Sequence, residues 1–153
     1  MKIIDFTSEL QNEFDSFFEQ AFASCGFLYD PDGVHEDLRN IQSVFANPGG
    51  GFWALFQNDL IAGTAGLKVI DNINMIGELK CMYVLPDLQG KGLGQKLIDK
   101  VFLESRNRKL KTIRLDVKVD ADRAVRLYRK NGFYEIPRYN DNANDVFFME
   151  KRI

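Results

Sequence analysis

The stretch from Glu78 to Lys109 constrains the fold more than any other part of the chain. It opens with Glu78-Leu79-Lys80-Cys81-Met82-Tyr83-Val84, a run suited to a pleated strand. Pro86 stops that strand, because proline has no N–H to give a ladder. Gln89-Gly90-Lys91-Gly92-Leu93-Gly94 follows and leads straight into a helical run. There Leu93, Leu97, Ile98, Val101 and Phe102 share one apolar stripe. A strand, a glycine loop and a helix start, in that order, make an anion site. The loop amides point outward, the helix dipole favours negative charge, and glycine admits a phosphate without a Cβ in its way.

The wording of the loop narrows the kind of phosphate. A P-loop ends Gly-Lys-Ser or Gly-Lys-Thr, whereas this loop ends Gly94-Gln95-Lys96. A dinucleotide fingerprint spaces its last two glycines three apart, whereas Gly92 and Gly94 are two apart. The pattern is Gln-x-x-Gly-x-Gly after a strand ending Val84-Leu85-Pro86, with a second block at Leu127-Tyr128-Arg129-Lys130-Asn131-Gly132-Phe133. Together these resemble the Gcn5-related N-acetyltransferases from about Gln57 to the C-terminus. The resemblance implies a mixed, twisted α/β (α+β) sheet with helices on both faces, built around a central strand–glycine loop–helix–strand unit.

The rest of the chain fits one domain spanning residues 1–153, long enough to bury a core. It is 45% hydrophobic and holds 13 phenylalanines, a globular composition. A net charge of −2 argues against nucleic acid as the main partner. No apolar run approaches a membrane span and no leader segment is evident, so a cytoplasmic setting is expected. Cys25 and Cys81 offer neither a disulfide framework nor metal-ligand spacing.

In chain order, a strand is expected over Lys2–Phe6. A helix follows, capped by Ser8 with Gln11 in capping-box position. A second helix is expected from His35 to about Ala46. Strands Phe52–Gln57 and Ile61–Ile70 meet at an Asn58-Asp59 hairpin turn. Thr112–Lys118 then completes a parallel crossover. Asp120 or Asp122 is expected to cap a helix ending at Asn131-Gly132, and Phe133–Ile136 and Val146–Lys151 close the sheet.

Acetyl transfer from a thioester to an amine needs a base, a polarised carbonyl, an acid for the leaving thiolate and close approach of both substrates. The resemblance implies acetyl-CoA as donor and no metal. It assigns the pyrophosphate to Gln89, Gly90, Lys91, Gly92, Gly94 and Gln95, and the pantetheine arm to the strand backbone at Met82 and Val84. It also implies that the Met82 N–H polarises the thioester. Glu78 lies six residues before Val84, where the histone-acetylating branch of the family carries its base. An exposed strand-edge carboxylate paired with Lys80 or Lys118 is the other reading. Tyr128 matches the tyrosine that faces the CoA sulfur, and a packing role on the Ala124-Leu127-Tyr128 stripe is its alternative. The family often carries an asparagine where this chain has Ala121, so that cofactor contact is lost or passes to Asp120 or Asp122.

Cys81 has no histidine near it in sequence, and the lone His35 reads as a helix-start residue. The acceptor is expected between the first two helices and the last hairpin. Phe27, Leu28, Tyr29, His35 and Tyr139 form an aromatic wall there, rimmed by Asp30, Asp32, Glu36, Asp37, Asp141 and Asp145. Such a wall suits a cationic amine, on a small molecule or peptide, while solvated carboxylates and helix caps are the plainer reading. The expected activity is N-acetylation of a primary amine by direct transfer in a ternary complex, with a homodimer compatible. The rival is a CoA-binding sensor or subunit without catalysis.

Overall fold

The computed structural model describes residues 1–153. Seven strands form one sheet in the order β1-β2-β3-β4-β5-β7-β6. They are β1 (Lys2–Asp5), β2 (Gly51–Gln57), β3 (Leu60–Asp71), β4 (Ile76–Val84), β5 (Thr112–Lys118), β6 (Tyr134–Ile136) and β7 (Val146–Arg152). The helices are α1 (Gln11–Ser24), α2 (Glu36–Arg39), α3 (Leu93–Asn107) and α4 (Asp122–Lys130). This is the mixed α/β architecture expected from the sequence.

The sheet divides two cores by strand alternation. Trp53 and Leu55 of β2 join Leu97, Ile98 and Val101 of α3 on one face. Phe52, Ala54 and Phe56 of the same strand join Phe14, Phe18 and Phe22 of α1 on the other. That second core is built largely of phenyl rings meeting edge to face, with Phe14 and Phe52 at 5.8 Å and Phe45 and Phe52 at 4.9 Å. Asn58 and Asp59, at φ 50° and 60°, make the expected tight turn between β2 and β3.

Only β4 and β5 run parallel, and they pair only over Ile76–Glu78 against Thr112–Arg114. Beyond Glu78, β4 pairs with β3 alone and β5 with β7 alone. The two strands therefore part and leave a cleft in the middle of the sheet. A bulge in β4 lies just past the parting. Thr64 pairs with Tyr83 and Gly66 with Lys80, so Cys81 and Met82 together oppose Ala65. Cys81 takes φ 52°, a left-handed conformation unusual for a residue with a side chain. The buried Thr64 hydroxyl donates to the Cys81 carbonyl at 2.9 Å and ties the bulge down.

Three local expectations need correction. Ser8 does not cap α1: Ser8–Leu10 is a 3₁₀ turn without a side-chain cap, and the Gln11 amide reaches Asp15 and the Leu38 carbonyl instead. The second helix is broken. At Asn40 the Glu36 carbonyl accepts both the backbone N–H, at 3.1 Å, and the side-chain amide, at 2.8 Å, and the chain resumes as a π-turn over Gln42–Ala46, closed by Asn47 N–H on the Gln42 carbonyl. Neither Asp120 nor Asp122 caps α4, whose N-cap position is Ala121 and has no side-chain bond.

Thr64→Val keeps the shape of the side chain but leaves the Cys81 carbonyl without its donor. Urea unfolding is expected to show a loss of about 1–3 kcal/mol with an unchanged slope. An unchanged midpoint would mean that the bulge does not depend on Thr64.

Candidate active site

The glycine loop lies at the open end of the cleft. Gly90 and Gly92 hold φ 77° and 80°, and a Cβ at either position would meet no atom within 4 Å, so their outer side is open. The amides of Gly90, Lys91, Gly92, Leu93, Gly94 and Gln95 donate to no backbone carbonyl or side chain; intrahelical donation resumes at Lys96, to the Gly92 carbonyl. Six consecutive free donors at a helix N-terminus are suited to an anion with several oxygens.

The side chains of the loop hold it in shape. Gln89 donates to the Val84 carbonyl at 2.9 Å and accepts from Arg123 at 3.1 Å, while Lys91 donates to the Asp87 carbonyl. Gln95 and Asn131 exchange amide hydrogen bonds at 2.8 and 3.0 Å, which fixes the start of α3 to the end of α4. A Cβ on Gly94 would come within 2.9 Å of Leu127, so this glycine lets α4 pack closely.

Met82 links the loop to Tyr128. Its methyl group lies 3.5 Å from where a Gly94 Cβ would sit, and its sulfur accepts the Tyr128 hydroxyl at 3.7 Å. Val84 packs against the same core as Met82. Tyr128 is buried on α4, with its ring edge to face with Phe133 at 5.6 Å. Burial first, and then the charge of Asp116, push the phenol well above its ordinary range. Tyr128 therefore stays protonated through neutral pH.

Glu78 lies on the opposite face of the sheet. Its neighbours Gly77 and Leu79 turn toward the α3 core, so alternation sends Glu78 and Lys80 the other way. Only 6% of Glu78 is exposed. Its Oε2 accepts the Tyr139 hydroxyl at 2.7 Å and the Asn140 amide at 3.4 Å, and its Oε1 lies 3.6 Å from the Lys80 ammonium. The Lys80 pairing matches the alternative noted from sequence. The same Asn140 amide donates to Asp116 at 2.7 Å. Asp116 sits between Leu115 and Val117, which face the α3 core, so it shares the Glu78 face.

The structure thus brings Glu78, Met82, Val84, Tyr128 and the glycine loop around one parted strand pair. Asp116 and Asn140 were not singled out from sequence, and Tyr139 was placed only on the acceptor wall. Asp116 is visible in sequence only as a polar position in an alternating strand, and Asn140 lies 62 residues from Glu78. Of the expected acceptor wall, Tyr29 and His35 stack on each other and on Phe22 and are largely committed to packing. Phe27 stays half exposed and carries the Lys118 ammonium over its ring at 4.1 Å.

By class the chain is an acyltransferase. The model of the acetyltransferase (GNAT) family matches residues 8–133, and the chain belongs to that family. It is 29% identical over 146 residues to the IAA acetyltransferase of Azospirillum brasilense, covering 94% of this chain and 93% of that protein. A GNAT-family acetyltransferase structure from Staphylococcus aureus Mu50 matches at a TM-score of 0.87 and 27% identity, covering 99% and 98% of the two chains. The fold is also that of yncA from Salmonella typhimurium, solved with its cofactor acetyl-CoA. That match has a TM-score of 0.74 and 19% identity over 99% of this chain and 93% of that one. No helix is long and apolar enough to cross a membrane.

Cys81 does not behave as a nucleophile. Burial, reinforced by Asp37, pushes its thiol up to about 12, so it stays neutral below that pH. Iodoacetamide at pH 8 is expected to alkylate the exposed Cys25 and spare Cys81 in native protein. Peptide mass spectrometry checks this. Equal labelling of both would contradict the burial.

Proposed function

We propose that this chain is an acetyl-CoA-dependent N-acetyltransferase that moves acetyl directly to a primary amine in a ternary complex. The observation that carries the reading is the parted β4–β5 pair. Free loop amides lie at its mouth, a buried carboxyl lies on one face and a buried phenol on the other.

The residues present fit the donor. Six free amides and an open glycine surface suit a pyrophosphate, and from Leu79 onward the β5 side of β4 has no strand partner for an extended arm to displace. Acetyl-CoA supplies a thioester carbonyl and a thiolate leaving group. Gly90 to Gln95 hold the pyrophosphate, while Gln89, whose own N–H is spent on the Pro86 carbonyl, shapes the loop rather than binding as the resemblance implied, and the Met82 and Val84 backbone aligns the arm beside it. The Met82 N–H, in the bulge, would polarise the thioester carbonyl, and a backbone donor needs no reorganisation during reaction.

Proton movement follows from the two faces. Glu78 takes the proton of the amine on the α1 face, directly or through a water. Tyr128 gives its proton to the departing sulfur on the α4 face. A phenol kept neutral by burial retains a proton to give when a thiolate of pKa about 8.5 departs. Attack and departure on opposite sides of one cleft need no acyl-enzyme, in keeping with the neutral Cys81 thiol.

Release of free thiol from acetyl-CoA over a panel of peptide N-termini, lysine, polyamines and aromatic amines tests the activity. Transfer to at least one primary amine is expected. Binding of acetyl-CoA without release for any amine would favour a non-catalytic sensor.

Gly92→Asp puts a side chain on a left-handed residue and a negative charge at the anion site. Calorimetry on folded variant is expected to show no acetyl-CoA binding, and wild-type affinity would reduce the loop to a turn. Tyr128→Phe keeps the ring and its contact with Phe133. It should slow kcat and kcat/KM alike by on the order of 10²-fold, with acetyl-CoA affinity unchanged. Wild-type turnover would make Tyr128 a core residue only.

A further inference from the structure

The side chains around Glu78 are set with more order than a buried carboxylate alone requires. We infer that Tyr139 and Asn140 are positioning residues for Glu78, fixing its rotamer, with Asp116 as their anchor. The inference rests on the reading of Glu78 as the base.

Each member of the group has its direction fixed. The Tyr139 ring is held from two sides, by the Arg114 guanidinium at 5.3 Å and by Phe148 edge to face at 5.6 Å. Its hydroxyl can then reach only one way, onto Glu78 Oε2. Burial, followed by the Glu78 contact, raises the Tyr139 phenol far above its ordinary range, so it stays a protonated donor through neutral pH. Asn140 has its amide orientation decided by Asn142, whose backbone N–H donates to Asn140 Oδ1 at 3.0 Å. The Nδ2 group must therefore face the carboxylates, at 2.7 Å from Asp116 and 3.4 Å from Glu78.

Asp116 closes the group. It accepts from Asn140 on Oδ2 and from the Asn142 amide on Oδ1 at 3.1 Å. Asn142 in turn caps Asn144 through two bonds, at 3.0 and 2.9 Å. The segment between β6 and β7 is thus pinned to β5 through one aspartate, and its pinned end presents two donors to Glu78. Both donors fall on Oε2. That leaves Oε1, beside Lys80, as the oxygen with room for a proton.

Lys80 on β4 lies beside Oε1, and Asp116 on β5 shares the Asn140 amide with Glu78. Tyr139 and Asn140 both hold Oε2, so removing either frees the carboxyl to turn. A residue that only packed the loop would leave the Glu78 carboxyl in place.

The test is carboxyl ¹³C NMR on glutamate-labelled protein, with no acceptor needed. The Glu78 resonance is the one missing from Glu78→Gln. At pH 7 it is expected as one sharp line in wild type, and in Tyr139→Phe, which keeps both ring contacts, it is expected to move and broaden as the carboxyl loses its fixed rotamer. Asn140→Asp, which removes the second donor to Oε2, is expected to move the same line. An unmoved Glu78 line in Tyr139→Phe, with a native backbone spectrum, overturns the inference, and that variant decides the matter if Asn140→Asp fails to fold. A moved line in a protein that never releases thiol would uphold the positioning and sink the transferase reading instead.

Discussion

The hydrogen bond from Thr64 to the Cys81 carbonyl holds the feature on which the site depends, an extra residue in β4. A regular β4 would keep one alternation along its length. With Cys81 and Met82 both opposite Ala65, the strand changes phase in mid-course. Before the bulge, Glu78 and Lys80 face the α1 side; after it, Met82 and Val84 face the α3 core. One strand therefore supplies a buried carboxyl to one face and a thioether contact for Tyr128 to the other. The same bulge lies where β4 and β5 stop pairing, so the cleft and the change of phase occur together.

The sheet edges of the cleft are steadied from both sides. The α3 and α4 helices meet through the Gln95–Asn131 amide pair and the close approach at Gly94, so the glycine loop and Tyr128 keep a fixed relation. On the other face, the phenyl-rich core packs α1 under β2 and β3. The glycine loop and Tyr128 thus rest on one frame. Across the sheet lie the 26–35 and 137–145 segments, where Phe27, Leu28 and Val34 remain exposed.

Much of this was legible in the sequence for stated reasons. Period-two and period-three-to-four patterns mark strands and helices wherever one face is buried, as in Phe52–Gln57 and Leu93–Phe102. The glycine loop is legible because its positive φ values call for glycine. The bulge was not, because Cys81 adopts a left-handed φ with no glycine or asparagine to announce it. The break at Asn40 and the π-turn after it leave Leu38, Ile41 and Phe45 buried at near-helical spacing, so periodicity does not register them. The group of Glu78, Asp116, Tyr139 and Asn140 joins three separate segments, and only tertiary structure brings them together.

The central claim is that the loop amides and the freed edge of β4 form one continuous donor site. Backbone ¹H–¹⁵N NMR during addition of acetyl-CoA tests it most directly. The account predicts the largest shifts at Gly90 to Gln95 and at Met82 to Val84, with the β1–β2 edge of the sheet undisturbed. Shifts confined to other segments, or none at saturating acetyl-CoA, would contradict it.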